Sequence, residues 1–199
     1  MTSMVHEFIY RFRVTRTLLR MACFLSLMSM VAVCHAAPAD DAEQLENRIK
    51  AAFLYKFTSY VDWPENSFPG PDSPITIGVL GNKDVAAELR DIVAGRTAQD
   101  RPIRAIRIGT EEPVDGIHIL FVGSAAASRL ERVARAVRPH PTLMVTDFEG
   151  ALTRGSMINF VLADRRLRFE ISLPAVERSG LRLSSRLLAV ALHVQTVAP

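Results

Sequence analysis

The chain has 199 residues, of which 49% are hydrophobic and 23% charged, and carries a formal net charge of +3 at pH 7. That length and apolar content fit one globular domain with a sizeable core and exclude a disordered or low-complexity chain. The positive charge does not imply nucleic-acid binding: residues 1–36 hold four Arg and one Glu, leaving 20 basic and 20 acidic residues in the rest, and a polyanion needs clustered positive charge.

Residues 1–36 have the layout of a secretory signal. Arg11, Arg13, Arg16 and Arg20 precede an apolar run from Met21 to Val33, and Cys34-His35-Ala36 supplies the small-residue end, so cleavage is predicted after Ala36. The run is too short for a membrane-spanning helix, which needs roughly 18–20 residues. No adjacent arginine pair precedes it, which favours general secretion over the twin-arginine route. Both cysteines, Cys23 and Cys34, lie in this leader, so the remaining chain can hold no disulfide, thiolate nucleophile or cysteine metal site. A lipoprotein acylated at Cys34 is the alternative, disfavoured by Val33 where a small residue is usual. Residues 37–199 are expected to form a single exported domain that folds outside the cytoplasm.

From Asp40 to Tyr60, Leu45, Ile49, Ala52, Phe53, Phe57 and Tyr60 recur at helical spacing, and Asp40 with Glu43 resembles a capping box. The helix should stop before Trp63-Pro64, followed by a Pro/Gly/Ser-rich loop to Pro74. A buried strand is predicted over 75–80, a helix over 83–94, strands over 103–108 and 117–122, a helix over 125–137 and a strand over 142–146. Such alternation signifies a mostly parallel sheet covered on both faces. Residues 157–162 and 167–173 then form two strands joined by four residues, too few for a parallel crossover. The predicted fold is therefore a three-layer α/β/α sandwich with an antiparallel hairpin near one edge. Pro174 should end the second hairpin strand, and a short, largely buried helix over 186–194 closes the chain.

Motifs of known chemistry are missing: no Gly-x-Ser-x-Gly turn, zinc helix, phosphate loop or dinucleotide turn occurs. No catalytic residue, metal site or cofactor is expected. Outside the leader the histidines are His118, predicted to be a hydrogen-bonded core or edge residue, His140, between two prolines in a surface loop, and His193. Seven positions separate His193 from Arg186, which would put both on one helical face, either facing water or lining a cleft for an anionic or aromatic ligand. Gly81 and Ser124, where strands give way to helices, mark a second possible ligand region at the carboxyl edge of the sheet, against a reading as tight turns. Arg168 and Glu170 share one strand face, either as solvated edge charges or as a partner surface. Tyr55, Tyr60, Trp63 and Phe68 concentrate aromatic surface that serves as core cover or as a partner patch around Tyr60 and Trp63.

The segments Lys50-Ala51-Ala52-Phe53-Leu54-Tyr55-Lys56-Phe57, Trp63-Pro64 and Ile77-Gly78-Val79-Leu80-Gly81 resemble the opening of the YfiR-type family. The similarity continues through His118-Ile119-Leu120-Phe121, Gly155-Ser156-Met157-Ile158, Arg168-Phe169-Glu170-Ile171 and Leu183-Ser184-Ser185-Arg186-Leu187-Leu188. The resemblance spans about Arg48 to Val194. It implies a periplasmic regulator, not an enzyme, that holds the periplasmic region of a membrane diguanylate cyclase inactive, with release raising cyclic di-GMP and favouring biofilm. A small-molecule signal is implied, and a homodimer is compatible. The cysteine pairs of the best-known members have no counterpart here, and Ser156 and Ser172 stand where the family usually has Gly and Asn. The rival reading is a small-molecule sensory component acting on a histidine kinase or a transporter, with Arg186, His193, Gly81 and Ser124 around its pocket.

Overall fold

The computed structural model describes residues 38–109 and 112–197; the leader predicted over 1–36 lies outside the described residues. Gln44–Pro199 forms the compact unit discussed below; of the segment before it only Pro38–Glu43 is described, as the start of a helix. In chain order the elements are α1 (Pro38–Phe57), β1 (Val61–Asp62), β2 (Ile75–Leu80), α2 (Lys83–Val93), β3 (Thr97–Ala98), β4 (Arg101–Ile108), β5 (Ile119–Val122) and α3 (Leu130–Val137). They continue with β6 (Leu143–Thr146), β7 (Ile158–Ala163), β8 (Arg166–Ser172), α4 (Leu173–Arg178), β9 (Arg182–Leu183), α5 (Ser185–Val190) and β10 (His193–Gln195).

Eight strands form one sheet in the order β10-β8-β7-β6-β5-β2-β4-β3. Strands β4, β2, β5, β6 and β7 run parallel, and β7–β8 is the antiparallel hairpin. The chain leaves β2 toward β4 and then crosses back to β5, so the strand order reverses between β2 and β5. Buried residues alternate between two cores, as the two-residue period of strands requires. On one face α1 and α2 bring Leu54, Phe57, Val85 and Leu89 against Ile77, Ile119 and Val145. On the other, α3 brings Leu130, Val133 and Val137 against Leu80, Leu120 and Met144. The three-layer sandwich expected from the sequence is the observed architecture.

Aromatic packing seats α1. Phe53 and Phe57 each meet Phe169 edge-on with ring centroids 5.5 Å apart, and Phe57 stacks on Phe160 at 6.1 Å. Such pairs contribute roughly 0.5–1.5 kcal/mol each beyond the burial of their area.

Several expected elements differ. The inward face of α1 is Asn47, Lys50, Ala51, Leu54 and Phe57, whereas Leu45 is 57% exposed. The helix is thus rotated from the expected stripe so that two polar side chains face inward, where they find partners described below. Its last turn ends at Phe57, because β1 must pair with β9 (Val61 with Leu183, Asp62 with Arg182) in a separate two-stranded sheet. Pro174 does not simply stop β8. It sits in the first turn of α4, where a missing N–H costs nothing.

The closing helix is the largest correction. The structure has α5 over Ser185–Val190 only, mostly exposed with Leu187 buried, and then β10 pairs in parallel with β8. The expected helical face shared by Arg186 and His193 therefore does not exist. Added β10 also covers β8 at Glu170–Ser172, so the edge-strand account does not hold for Glu170, whereas Arg168 lies just beyond the paired stretch.

Candidate functional site

Three polar assemblies occupy the compact unit. The first lies at the carboxyl end of the parallel strands. Lys50 Nζ donates to Asp147 Oδ2 at 2.6 Å and pairs with Glu46 at 2.7 Å, and the Lys50 and Asp147 side chains are 8% and 5% exposed. Burial alone would lower the Lys50 pKa, but its hydrogen bonds and attraction to the two carboxylates outweigh that and raise it above the ordinary lysine value. One turn earlier on the same helix face, Asn47 Oδ1 accepts from Asn82 Nδ2 at 3.1 Å. Asn82 in turn caps α2 by accepting from the Asp84 and Val85 amides. Thr146 donates to Asn159 Oδ1 at 2.7 Å and shares a 2.9 Å bond with Ser156. Ser156 is thus part of a buried hydroxyl network.

Between these groups the turns after β2 and β5 close on each other. The Gly123 amide donates to Leu80 O at 2.8 Å. A Cβ on Gly81, whose φ is +79°, would come within 2.6 Å of the Ala126 Cβ, and one on Gly123 within 3.0 Å of Gly81 O. Close approach of backbones explains both glycines. Ser124 follows, exposed.

The second assembly surrounds His118. Its ring stacks on Phe68 at 4.3 Å, the Arg101 guanidinium lies over the Phe68 ring 3.9 Å from its centroid, and Trp63 is edge-on to both rings. His118 Nδ1 accepts from the Thr76 amide at 3.1 Å, so Nε2 carries the proton and donates to Ser67 O at 3.2 Å. Burial lowers its pKa, assisted by the positive Arg101 and opposed by the Ser67 carbonyl. This is the satisfied core histidine the sequence leads one to expect. Trp63 and Tyr60 are half-buried against the core, and Tyr60 O accepts from the Ser184 amide at 2.9 Å.

The third is a sheet face. In β8, Phe169 and Ile171 point to the α1 side, so Arg168 and Glu170 point to the other, both half-buried and not ion-paired with each other. Register places Asn159 on β7, Glu170 on β8 and exposed His193 on β10 in one row, with Val161 beside Arg168. Side chains at matched positions share a face.

The sequence-predicted residues are thus partly regrouped. Glu170 and His193, assigned to different roles, are strand neighbours. His193 and Gly81 lie five strand steps apart, about 24 Å at the usual inter-strand spacing, so Arg186, His193, Gly81 and Ser124 do not surround one pocket. Lys50, Asp147 and Asn47 were not singled out from the sequence. Their signal was a lysine and an asparagine in phase with Ala51 and Leu54, legible only with the helix rotation known.

A family model described as YfiR/HmsC-like matches residues 47–192. The chain belongs to the YfiR/HmsC-like family. Members of that family are regulators in diguanylate cyclase systems. A solved structure of a conserved domain protein from Vibrio cholerae O1 biovar eltor is similar with a TM-score of 0.45 at 13% identity, over 60% of this chain and about half (54%) of that one. Among the described residues no helix is long and apolar enough to cross a membrane, and no group of three or more His, Cys, Asp or Glu is placed to hold a metal ion.

Proposed function

We propose that this YfiR/HmsC-like protein is exported to the periplasm and there inhibits a membrane diguanylate cyclase by clamping its periplasmic sensor region. Signal-driven release of the clamp raises cyclic di-GMP and promotes biofilm. Arg168 and Glu170 with the neighbouring His193 carry this reading: the two charged side chains stand half-buried on one sheet face without ion-pairing to each other, His193 is exposed beside Glu170, and the protein's buried histidine is fully engaged elsewhere. A preformed face of fixed charges selects a partner of complementary charge and rejects others. Tyr60 and Trp63, half-buried against the core on the α1 side, form a separate candidate contact region.

Such a regulator works only if the signal separates bound from unbound states. Cellular cyclic di-GMP should rise on gene deletion and fall again on complementation. Complementation with Arg168→Glu/Glu170→Arg should leave it high, although the variant is folded and exported. An unchanged cyclic di-GMP level after deletion would sink the proposal.

A further inference from the structure

A cavity of about 260 Å³ opens at the amino-terminal end of the parallel strands, between the end of α3, the turn before β7 and α4. Its floor is apolar: Met144, Met157 and Ala175 are 1%, 7% and 6% exposed. Its rim carries four arginines, Arg135 from α3 and Arg138 just after it, Arg154 from the turn and Arg178 from α4. Three separate segments therefore deliver like charges to one concavity.

The rim charge is only partly neutralised locally. Glu131, the acidic residue at the cavity, is committed to Arg154 at 3.2 Å, and Arg154 also donates to Ala127 O at 2.9 Å. Arg135, Arg138 and Arg178 have no carboxylate within ion-pair distance among the described residues. His140, also lining the cavity, faces Asp115 at 3.4 Å. Converging unmatched arginines repel one another, in a domain whose charges otherwise balance. Guanidiniums meet carboxylate or phosphate in a two-pronged fashion, and methionines adapt to varied apolar shapes.

The geometry points to a binding site for a small amphiphilic anion, with a phosphate or carboxylate head held by Arg135, Arg138 and Arg178 and a compact apolar body over Met144 and Met157. The volume falls just below the roughly 300–1,000 Å³ of drug-sized pockets, a size that suits a small ligand. The inference stands apart from the partner surface on β8 and β10.

Titration calorimetry of the purified protein with octyl phosphate tests it, with octanol and phosphatidylglycerol vesicles as separate arms. Octyl phosphate should bind at one saturable site, weakened at least tenfold by Arg135→Glu and by Arg178→Glu but not by Arg90→Glu on α2. Octanol should bind at least tenfold more weakly. Should the charge reversals impair folding, Arg135→Gln and Arg178→Gln replace them, with a loss of threefold or more expected. Equal affinity for octanol, indifference to the arginine changes, or binding to vesicles with none to free octyl phosphate would each overturn the site.

Discussion

Lys50 Nζ lies 2.6 Å from Asp147 Oδ2, an ion pair closed off from water between the first helix and the end of β6. Breaking such a pair leaves one charge buried without its partner, which costs about 3–5 kcal/mol, whereas replacing both groups by apolar ones of similar size is nearly neutral. Asp147→Ala should therefore cost about 3 kcal/mol, at the lower end because Glu46 still reaches the ammonium. Lys50→Met/Asp147→Leu should recover most of that loss. Urea unfolding of the three proteins decides it, and a double variant less stable than Asp147→Ala would refute this account of the pair.

His118 predicts a pH response in the acid direction. Its folded pKa lies below the ordinary 6.5, so the unfolded chain takes up the proton first as pH falls. The stabilisation is complete above 6.5 and is lost as pH drops from there through the depressed folded value. Protonated Nδ1 would also point its hydrogen at the Thr76 N–H, which needs an acceptor. The melting temperature should drop more between pH 7.5 and 5 in the natural protein than in His118→Gln; parallel curves would refute the assignment.

The hairpin turn between β7 and β8 has only Asp164 and Arg165 at its centre, with φ of 51° and 57°. Both values are positive, as in the type I′ turn that favours Asn-Gly. Arg165 in this conformation costs roughly 1 kcal/mol. Asp164→Asn/Arg165→Gly should raise the melting temperature, by an amount equivalent to about 0.5–1 kcal/mol after the entropy cost of glycine. Calorimetry showing no rise would mean the strain is relieved elsewhere.

Gly81 and Gly95 share a positive φ, 79° and 68°, but only Gly81 is crowded, since nothing lies within 4 Å of a Cβ on Gly95. Gly95→Ala should lose about 1 kcal/mol from backbone conformation alone. Gly81→Ala should lose clearly more, because the turns after β2 and β5 must separate to admit the methyl group. Equal losses in denaturant titrations would show that the two turns yield freely.

Much of the scaffold was legible because strands and helices alternate with short connections and each apolar run matches its element. Strand β2, helix α2, strands β5 and β6 and the hairpin follow from periodicity. The segments that failed are those whose state depends on a distant partner. Residues 193–195 are as compatible with a helix as with a strand until the exposed edge of β8 is there to pair with them, and β1 forms only because β9 lies across from it.

By itself the sequence determined the layered α/β architecture, the charge balance beyond residue 36 and the lack of cysteine beyond residue 34, because these depend on composition and on local periodicity, while the family followed from the resemblance of segments in order. Only the tertiary structure decided which way α1 turns, how the sheet ends and which charges meet. Lys50 is tolerated inside solely because Asp147, 97 positions later, arrives beside it, and four arginines form a rim only where three segments converge. A charge's environment is set by what packs against it, and contacts between residues far apart in the chain leave no period in the sequence.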